Sequence, residues 1–347
     1  MEFSVLIPVY NTEEYLDECL QSVLSQSYRD YEVIIVNDGS TDKSGLLCDE
    51  YERKYPNQIT VIHQENQGLI SARRVAISHA KGEFCVFVDS DDSVEINLLE
   101  KLYQCLFKDS DIDVILYSYY YYTKGKKQEH SRIAVDGTIW TKNNKTELYE
   151  KLVFSSSIDA IWIKAIKTDL LLKDPIPYDK YKKQNMSEDL LQSLYPITFA
   201  DKIYYLDVPL YNYRYNENSI SRCFTKDSIS AKNSLYVYYE IQKILPLWDV
   251  DQSDFIKHIN ARWFNETMYI FFHSFEKANS NVERNVVLYY DWDSFLPKIS
   301  KCFDDKSLVR EYVMIYNCWK KKQYRKIKLH FMKRRILQSY KRMRNRK

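Results

Sequence analysis

The first 105 positions alternate short, continuous apolar runs with amphipathic stretches. Phe3 to Val9, Tyr31 to Val36, Ile59 to His63 and Phe84 to Val88 are rich in strand-forming residues and long enough for buried strands. Between the first two runs, Leu16, Cys19, Leu20, Val23 and Leu24 recur at helical spacing behind an Asn11-Thr12 cap. A second helix is predicted after Asn37-Asp38-Gly39-Ser40-Thr41-Asp42, and a third over Leu69 to His79. Strands alternating with helices predict a parallel sheet with right-handed crossovers, an α/β fold. Pro8, which lacks an N–H, should not continue a central ladder. Each polar segment falls at the carboxyl end of a strand, so these segments should converge on one sheet edge, where open α/β sheets bind ligands.

Beyond Leu106 the pattern is less regular. Asp113 to Tyr122 is β-prone and rich in tyrosine, and Thr123 to Ser131 reads as a loop or hairpin. Ser157 to Leu172 includes Trp162 and Lys164, and Asn185 to Leu191 places Glu188 and Asp189 before an apolar helix. From Thr225 the spacing turns helical, with segments at Ser228 to Leu245, Ser253 to Glu276, Asn281 to Tyr290, Leu308 to Trp319 and Lys320 to Arg346.

At 347 residues the chain has room for two domains, or for one large domain with an appendage. A mean hydropathy of −0.49, with no apolar run of the ~18 residues a membrane span needs, reads as a soluble protein. Met1 to Tyr10 enters a strand directly, without a basic leader region or cleavage site. Seven scattered cysteines, without a Cys-x-x-Cys pair, fit a reduced cytosolic chain. The 31 tyrosines could line a carbohydrate groove, and core filling explains them as well. The net charge of +2 conceals an asymmetry. Lys320 to Lys347 holds fourteen Lys or Arg and no acid, which leaves the rest with 36 basic against 48 acidic groups, a net of −12. Ile327, Phe331, Leu337 and Tyr340 could give this tail an apolar side, so it is expected to lie on an anionic membrane surface. Docking on its own chain or on a partner subunit is the competing expectation.

The candidate chemistry centres on Gly82 to Ser93, where the fourth apolar run stops in Asp89, Ser90, Asp91 and Asp92. Carboxylates this close raise one another's pKa unless a cation sits among them, and hard oxygen ligands on a short turn suit Mg²⁺ or Mn²⁺. The plain alternative is a solvated turn in which Asp92 or Ser93 caps the helix from Leu98 to Leu106. Pro8 and Tyr10 could close the first strand beneath a planar base. Asp38 could accept from the N3–H of uracil, and Gly39 would permit close backbone approach. Arg73 is a fixed cation suited to a diphosphate. Each has an ordinary alternative: Asp38 in an Asx-turn, Arg73 in an ion pair, Tyr10 in the core. Glu188 and Asp189 could equally be first-turn acids of a helix capped by Ser187.

Four motifs occur in order: Pro8-Val9-Tyr10-Asn11, Asn37 to Asp42, Glu65 to Arg73, and Asp89-Ser90-Asp91-Asp92. Over the first 105 or so residues they resemble family 2 glycosyltransferases with the GT-A fold, of the kind that build bacterial capsular, exopolysaccharide, teichoic acid or glycoprotein glycans. The resemblance implies a GT-A catalytic domain over 1–222, with a nucleotide-sugar half (1–105) and an acceptor half (106–222), followed by a helical region over 223–347. It implies an inverting transferase that moves a hexose or N-acetylhexosamine from a UDP-sugar to a hydroxyl of a lipid-linked or protein-linked glycan acceptor. Pro8, Tyr10 and Asp38 would hold the uridine, and Arg73 would lie near the nucleotide or diphosphate. Asn11, Asn66, Gly68 and Ser90 would complete the donor site. Asp89 would meet the ribose or sugar, and Asp91, with Asp89, would ligate a divalent metal, Mn²⁺ or Mg²⁺. Asp189 would be the catalytic base, supported by Glu188, and Trp162-x-Lys164 would lie toward the acceptor. Tyr211-Asn212-Tyr213-Arg214 resembles the segment that closes such a domain, and Arg214 could reach phosphate. Arg74 departs from the family pattern, where Asn is common.

Two other classes share some of these features. A nucleotidyltransferase would carry a Gly-rich, Arg-containing loop after the first strand, which this chain lacks. A non-catalytic sugar-binding relative would have little use for both Asp89-Ser90-Asp91 and Glu188-Asp189. No feature points to nucleic acid, and a homo-oligomer is compatible with the pattern. The expected location is the cytoplasm, at the inner face of the cell membrane.

Overall fold

The structure, a computed structural model, describes residues 1–123, 126–129, 132–155, 157–182, 187–214, 235–278, 280–289, 292 and 308–344. The chain divides into two compact units, Met1–Arg222 with Tyr239–Val250, and Cys223–Tyr238 with Asp251–Lys347. The predicted C-terminal segment thus returns one short stretch to the first unit.

Among the described residues the first unit is built on ten strands: β1 (Phe3–Val9), β2 (Tyr31–Asp38), β3 (Ile59–Gln64), β4 (Phe84–Phe87), β5 (Ser93–Val94), β6 (Val114–Thr123), β7 (Lys126–Glu129), β8 (Ile139–Thr141), β9 (Lys164–Lys167) and β10 (Lys202–Arg214). Its helices are α1 (Leu16–Leu24), α2 (Ser44–Lys54), α3 (Leu69–His79), α4 (Leu98–Lys108), α5 (Thr146–Glu150), α6 (Thr168–Leu172) and α7 (Glu188–Phe199), and α8 (Leu235–Ile244) belongs to it from Tyr239 onward. The sheet runs β3-β2-β1-β4-β9-β6-β10-β5, with β7 on β6 and β8 on β10. The strands β3, β2, β1 and β4 are mutually parallel, and β9 is antiparallel to both β4 and β6. From β1 the chain moves outward through β2 and β3, then returns through α3 to place β4 on the other side of β1. That reversal opens a crevice beyond the carboxyl ends of β1 and β4.

Pro8 lies inside β1, opposite Val36 of β2, while the pairing with β4 ends at Leu6 opposite Phe87. A central strand therefore carries the proline, at an end where one neighbour has already stopped. Helix α1 begins at Leu16 with Tyr15 at its N-cap, so Asn11 and Thr12 are released to other work. In the stretch expected to be a loop or hairpin, β7 pairs antiparallel with β6, with Thr123 opposite Lys126.

The second unit contains α9 (Gln252–Lys277), α10 (Asn281–Tyr289), α11 (Arg310–Lys320) and α12 (Tyr324–Arg344). Asp251 caps α9 by accepting from the backbone of Ser253 and Asp254. Among the described residues the basic tail is mainly α12, which Lys321 to Gln323 separate from α11, and Lys322 has a φ of 54°. Within α12, Ile327 and Phe331 are buried, and the Phe331 ring lies 4.9 Å from Phe272 and 4.4 Å from Phe275. Arg334 pairs with Glu276 and Glu311, and His330 with Glu311. The apolar side expected to face lipid thus packs, at Ile327 and Phe331, into the unit's own core. Leu337 and Tyr340 lie outside the residues whose side chains are described. No described helix is long and apolar enough to cross a membrane.

Candidate active site

The segments after β1 and β2 interlock. Asn11, with a φ of 52°, follows the exposed Tyr10 and accepts at Oδ1 from the Thr41 amide at 2.8 Å. Its own amide donates to Ser40 Oγ, and the Thr12 amide donates to Ser44 Oγ. Thr12 Oγ1 donates to the buried Ser90 at 3.0 Å, which ties this pair to the acidic turn after β4.

Asp38 ends β2, buried. Its Oδ1 accepts from Gln64 Nε2 at 2.6 Å and from the Gln67 amide at 2.8 Å, and its Oδ2 accepts from the Gly68 amide at 2.8 Å. Sequence reasoning makes Asp38 a reader of uracil. The structure makes it first an organiser of the Asn66-Gln67-Gly68 loop, with Oδ2 the less engaged oxygen. Gly39, at a φ of 71°, sits where a Cβ would come within 2.7 Å of the Asn66 nitrogen, so the approach of the two loops requires glycine. Asn66 itself is exposed.

The acidic turn is not one cluster of equivalent charges. Asp92 is buried, accepting from Tyr211 Oη at 2.8 Å and from the Arg214 amide at 2.6 Å. Burial, then the neighbouring Asp91 and Asp89, pushes its carboxyl well above the usual range. It caps no helix, since α4 starts at Leu98 behind Asn97 and Ser93 belongs to β5. Tyr211 Oη also accepts from the Asp89 amide at 3.1 Å, so one hydroxyl at the end of β10 fixes both ends of the turn. Arg214, the cation expected near phosphate, donates from Nε to the Asp91 carbonyl and pairs with Glu18 of α1.

Arg73 takes the ion-pair alternative. It is 0% exposed on the inner face of α3, and each terminal nitrogen donates to a carboxylate. Nη2 donates to Asp89 Oδ1 at 2.8 Å, and Nη1 donates to Asp189 Oδ1 at 2.5 Å across 116 residues of chain. The two carboxylates hold the guanidinium protonated despite its burial. Burial raises Asp89, an effect that Arg73 opposes. Asp189 is the second residue of α7, behind Ser187 at a φ of 57°. Ser187 stands at the N-cap position in this left-handed conformation without a side-chain cap bond, and Glu188 and Asp189 are the acids of the first turn. The half-buried Glu188 is pushed up to about 7 by burial and by Asp189.

Two further residues singled out in the sequence make extensive contacts within the protein. Lys164 is buried and donates to the carbonyls of Ile158 and Ala160, and burial brings it down to about 7. Trp162 stacks on Tyr211 at 4.4 Å and on Tyr213 at 5.3 Å, backing the strand that grips the acidic turn. Arg74 donates to the Leu171 carbonyl and lies over the Tyr178 ring, which accounts for its departure from Asn. Sequence reasoning missed the roles of Tyr211 and Asp92, because nothing local marks a tyrosine aimed at a turn 119 residues away. Ser219 to Ser221, and Asn185 with Met186, lie outside the described residues.

Among the described residues no group of three or more His, Cys, Asp or Glu side chains could hold a metal by itself. Asp91 with Asp89 fits an ion shared with a ligand, because Mg²⁺-type ions commonly take one or two carboxylates and complete their shell with phosphate oxygens and water.

The family model for glycosyl transferase family 2 matches residues 4–171. Glycosyltransferase GlyA of Streptococcus pneumoniae serotype 4 is 32% identical over 66% of this chain and 33% of its own length. The uncharacterized glycosyltransferase EpsJ of Bacillus subtilis is 30% identical over 68% of this chain and 70% of its own. The match thus spans only a third of GlyA. The fold matches residues 1–349 of S. aureus TarS, solved in complex with UDP-GlcNAc, with a TM-score of 0.61 at 22% identity, covering 86% of this chain and 82% of that one. The sheet with its crevice is accordingly of GT-A type, and the chain belongs to glycosyl transferase family 2.

Proposed function

We propose that this chain is an inverting glycosyltransferase of bacterial surface-glycan synthesis, moving a hexose or N-acetylhexosamine from a UDP-sugar to a hydroxyl of a glycan acceptor. The observation that carries the reading is the meeting of Asp189 with the acidic turn through Arg73, which sets a carboxylate base beside the donor edge. The UDP-GlcNAc held by the TarS fold neighbour supports the donor class. Asp189 takes the proton of the acceptor hydroxyl as its oxygen bonds to the anomeric carbon. The bond from that carbon to the diphosphate breaks on the opposite face, UDP leaves, and the configuration inverts. Pro8, Tyr10, Asn11, Asp38, Asn66, Gly68 and Ser90 line the nucleotide side, and Glu188 supports the base. A divalent cation at Asp91 and Asp89 would supply Lewis-acid stabilisation of the departing diphosphate. Screening UDP-sugars for UDP release with Mn²⁺ tests the activity, and Asp189→Asn is expected to lower turnover ~10²–10⁴-fold with donor binding retained. Normal turnover in Asp189→Asn, with loss in Glu188→Gln, would move the base by one residue.

We propose that the tail meets an anionic membrane surface through its charge. Its buried apolar side is structural, and the exposed Arg325, Lys326, Lys328 and Lys333 provide the cationic face. This would place the enzyme at the cytoplasmic side of the membrane, beside lipid-linked acceptors.

A further inference from the structure

We propose that Arg73 is a positioning residue: one buried guanidinium sets the Asp189 carboxylate at a fixed place relative to the donor end of the acidic turn. The inference rests on the reading of Asp189 as the base. A guanidinium is a planar fork, and here its two terminal nitrogens bind two different carboxylates instead of gripping one bidentately. Each carboxylate keeps a partly open side, with side-chain exposures of 22% for Asp189 and 24% for Asp89. A base that faces an incoming hydroxyl needs this arrangement, with one oxygen pinned and the group still reachable. The fork is itself held rigidly, since α3 packs on β1 and β2 and Arg73 projects from its buried face. Arg73 Nε is buried and has no hydrogen-bond partner among the described residues. A residue serving only to neutralise charge would gain from turning Nε toward an acceptor. The observed geometry sacrifices that bond and keeps both carboxylates.

Lysine cannot replace this fork. Its ammonium is a point charge that preserves compensation while losing the fixed span between two acceptors. Arg73→Lys should therefore fold and bind donor but present Asp189 loosely, whereas a misplacement of about 1 Å at a reacting group costs ~10²-fold in rate.

The test uses the full chain with Mn²⁺ and with UDP-N-acetylglucosamine and UDP-glucose as probes. Turnover is read as UDP release, and UDP affinity is read separately by calorimetry. For Arg73→Lys we expect kcat to fall ~10²-fold, with donor KM and UDP affinity within about threefold of the parent. Arg73→Ala should recover part of its turnover in millimolar guanidinium or methylguanidinium but not in equal sodium or tetramethylammonium. The Arg73→Ala, Asp189→Asn double variant should not recover. A folded Arg73→Lys with undiminished kcat overturns the proposal, as does a rise of more than tenfold in donor KM at constant kcat, which would return Arg73 to the diphosphate. If Arg73→Ala does not fold, the Arg73→Lys result decides alone. Failure of the base assignment looks different, because Asp189→Asn would then keep its turnover whatever the Arg73 variants do.

Discussion

The chain has two concentrations of like charge, and the fold resolves them in different ways. The acidic turn is four residues long, and its carboxylates are separated by function. Asp92 is buried against Tyr211 and the Arg214 amide, Asp89 is held by Arg73, and the Asp91 side chain is half-buried at the sheet edge. The basic tail holds fourteen cations, and its described part, mostly α12, divides its residues by face. Ile327 and Phe331 enter the core, Arg334 pairs with Glu276 and Glu311, and the cations of the other face stay exposed. In a sheet, a strand end fixes where its polar residues go, so a short cluster is sorted residue by residue. In a helix, only the angular position of a residue is fixed, and an apolar stripe can meet protein or lipid with the same periodicity.

The sharpest way to break this contrast is at the turn. Asp91→Ala is expected to reduce transfer by ~10³-fold or more, since several kcal/mol of transition-state stabilisation depend on the ion it would hold. Metal-dependent UDP binding should be lost with it. Transfer that persists unchanged in EDTA would leave the turn without a metal function.

At the tail the expected effect is on stability. Phe331→Ala should destabilise the helical unit by ~3–5 kcal/mol, the usual cost of removing a buried aromatic. Leu329→Ala, at an exposed position of the same helix, should change it by less than ~0.5 kcal/mol. Denaturant unfolding compares the two, and equal small effects would show that α12 does not belong to the core.

The smallest effect concerns the exposed cations. Converting Arg325, Lys326, Lys328 and Lys333 to alanine should weaken co-sedimentation with phosphatidylglycerol vesicles by up to ~1 kcal/mol per charge, less at high salt. Parent and variant sedimenting equally, or a parent indifferent to salt and to lipid charge, would make the tail a structural element alone.

The alternating pattern of the first 105 residues was readable because strand and helix periods depend on neighbours two to four positions apart. It located β1 to β4, α3 to the residue, and the polar segments at one edge. Composition and charge isolated the tail in the same way. The roles of single side chains were less legible. Arg73, Asp38 and Arg214 each had a plausible ligand in the sequence and acquired a protein partner in the fold. Those partners lie up to 123 residues away, and a local pattern carries no information about which carboxylate a buried guanidinium will meet. The sequence by itself determined the parallel strands β1 to β4, their edge and the types of group that edge would hold. Tertiary packing alone decided which of those groups were committed to one another, because burying a charge requires a partner and only the folded chain supplies one.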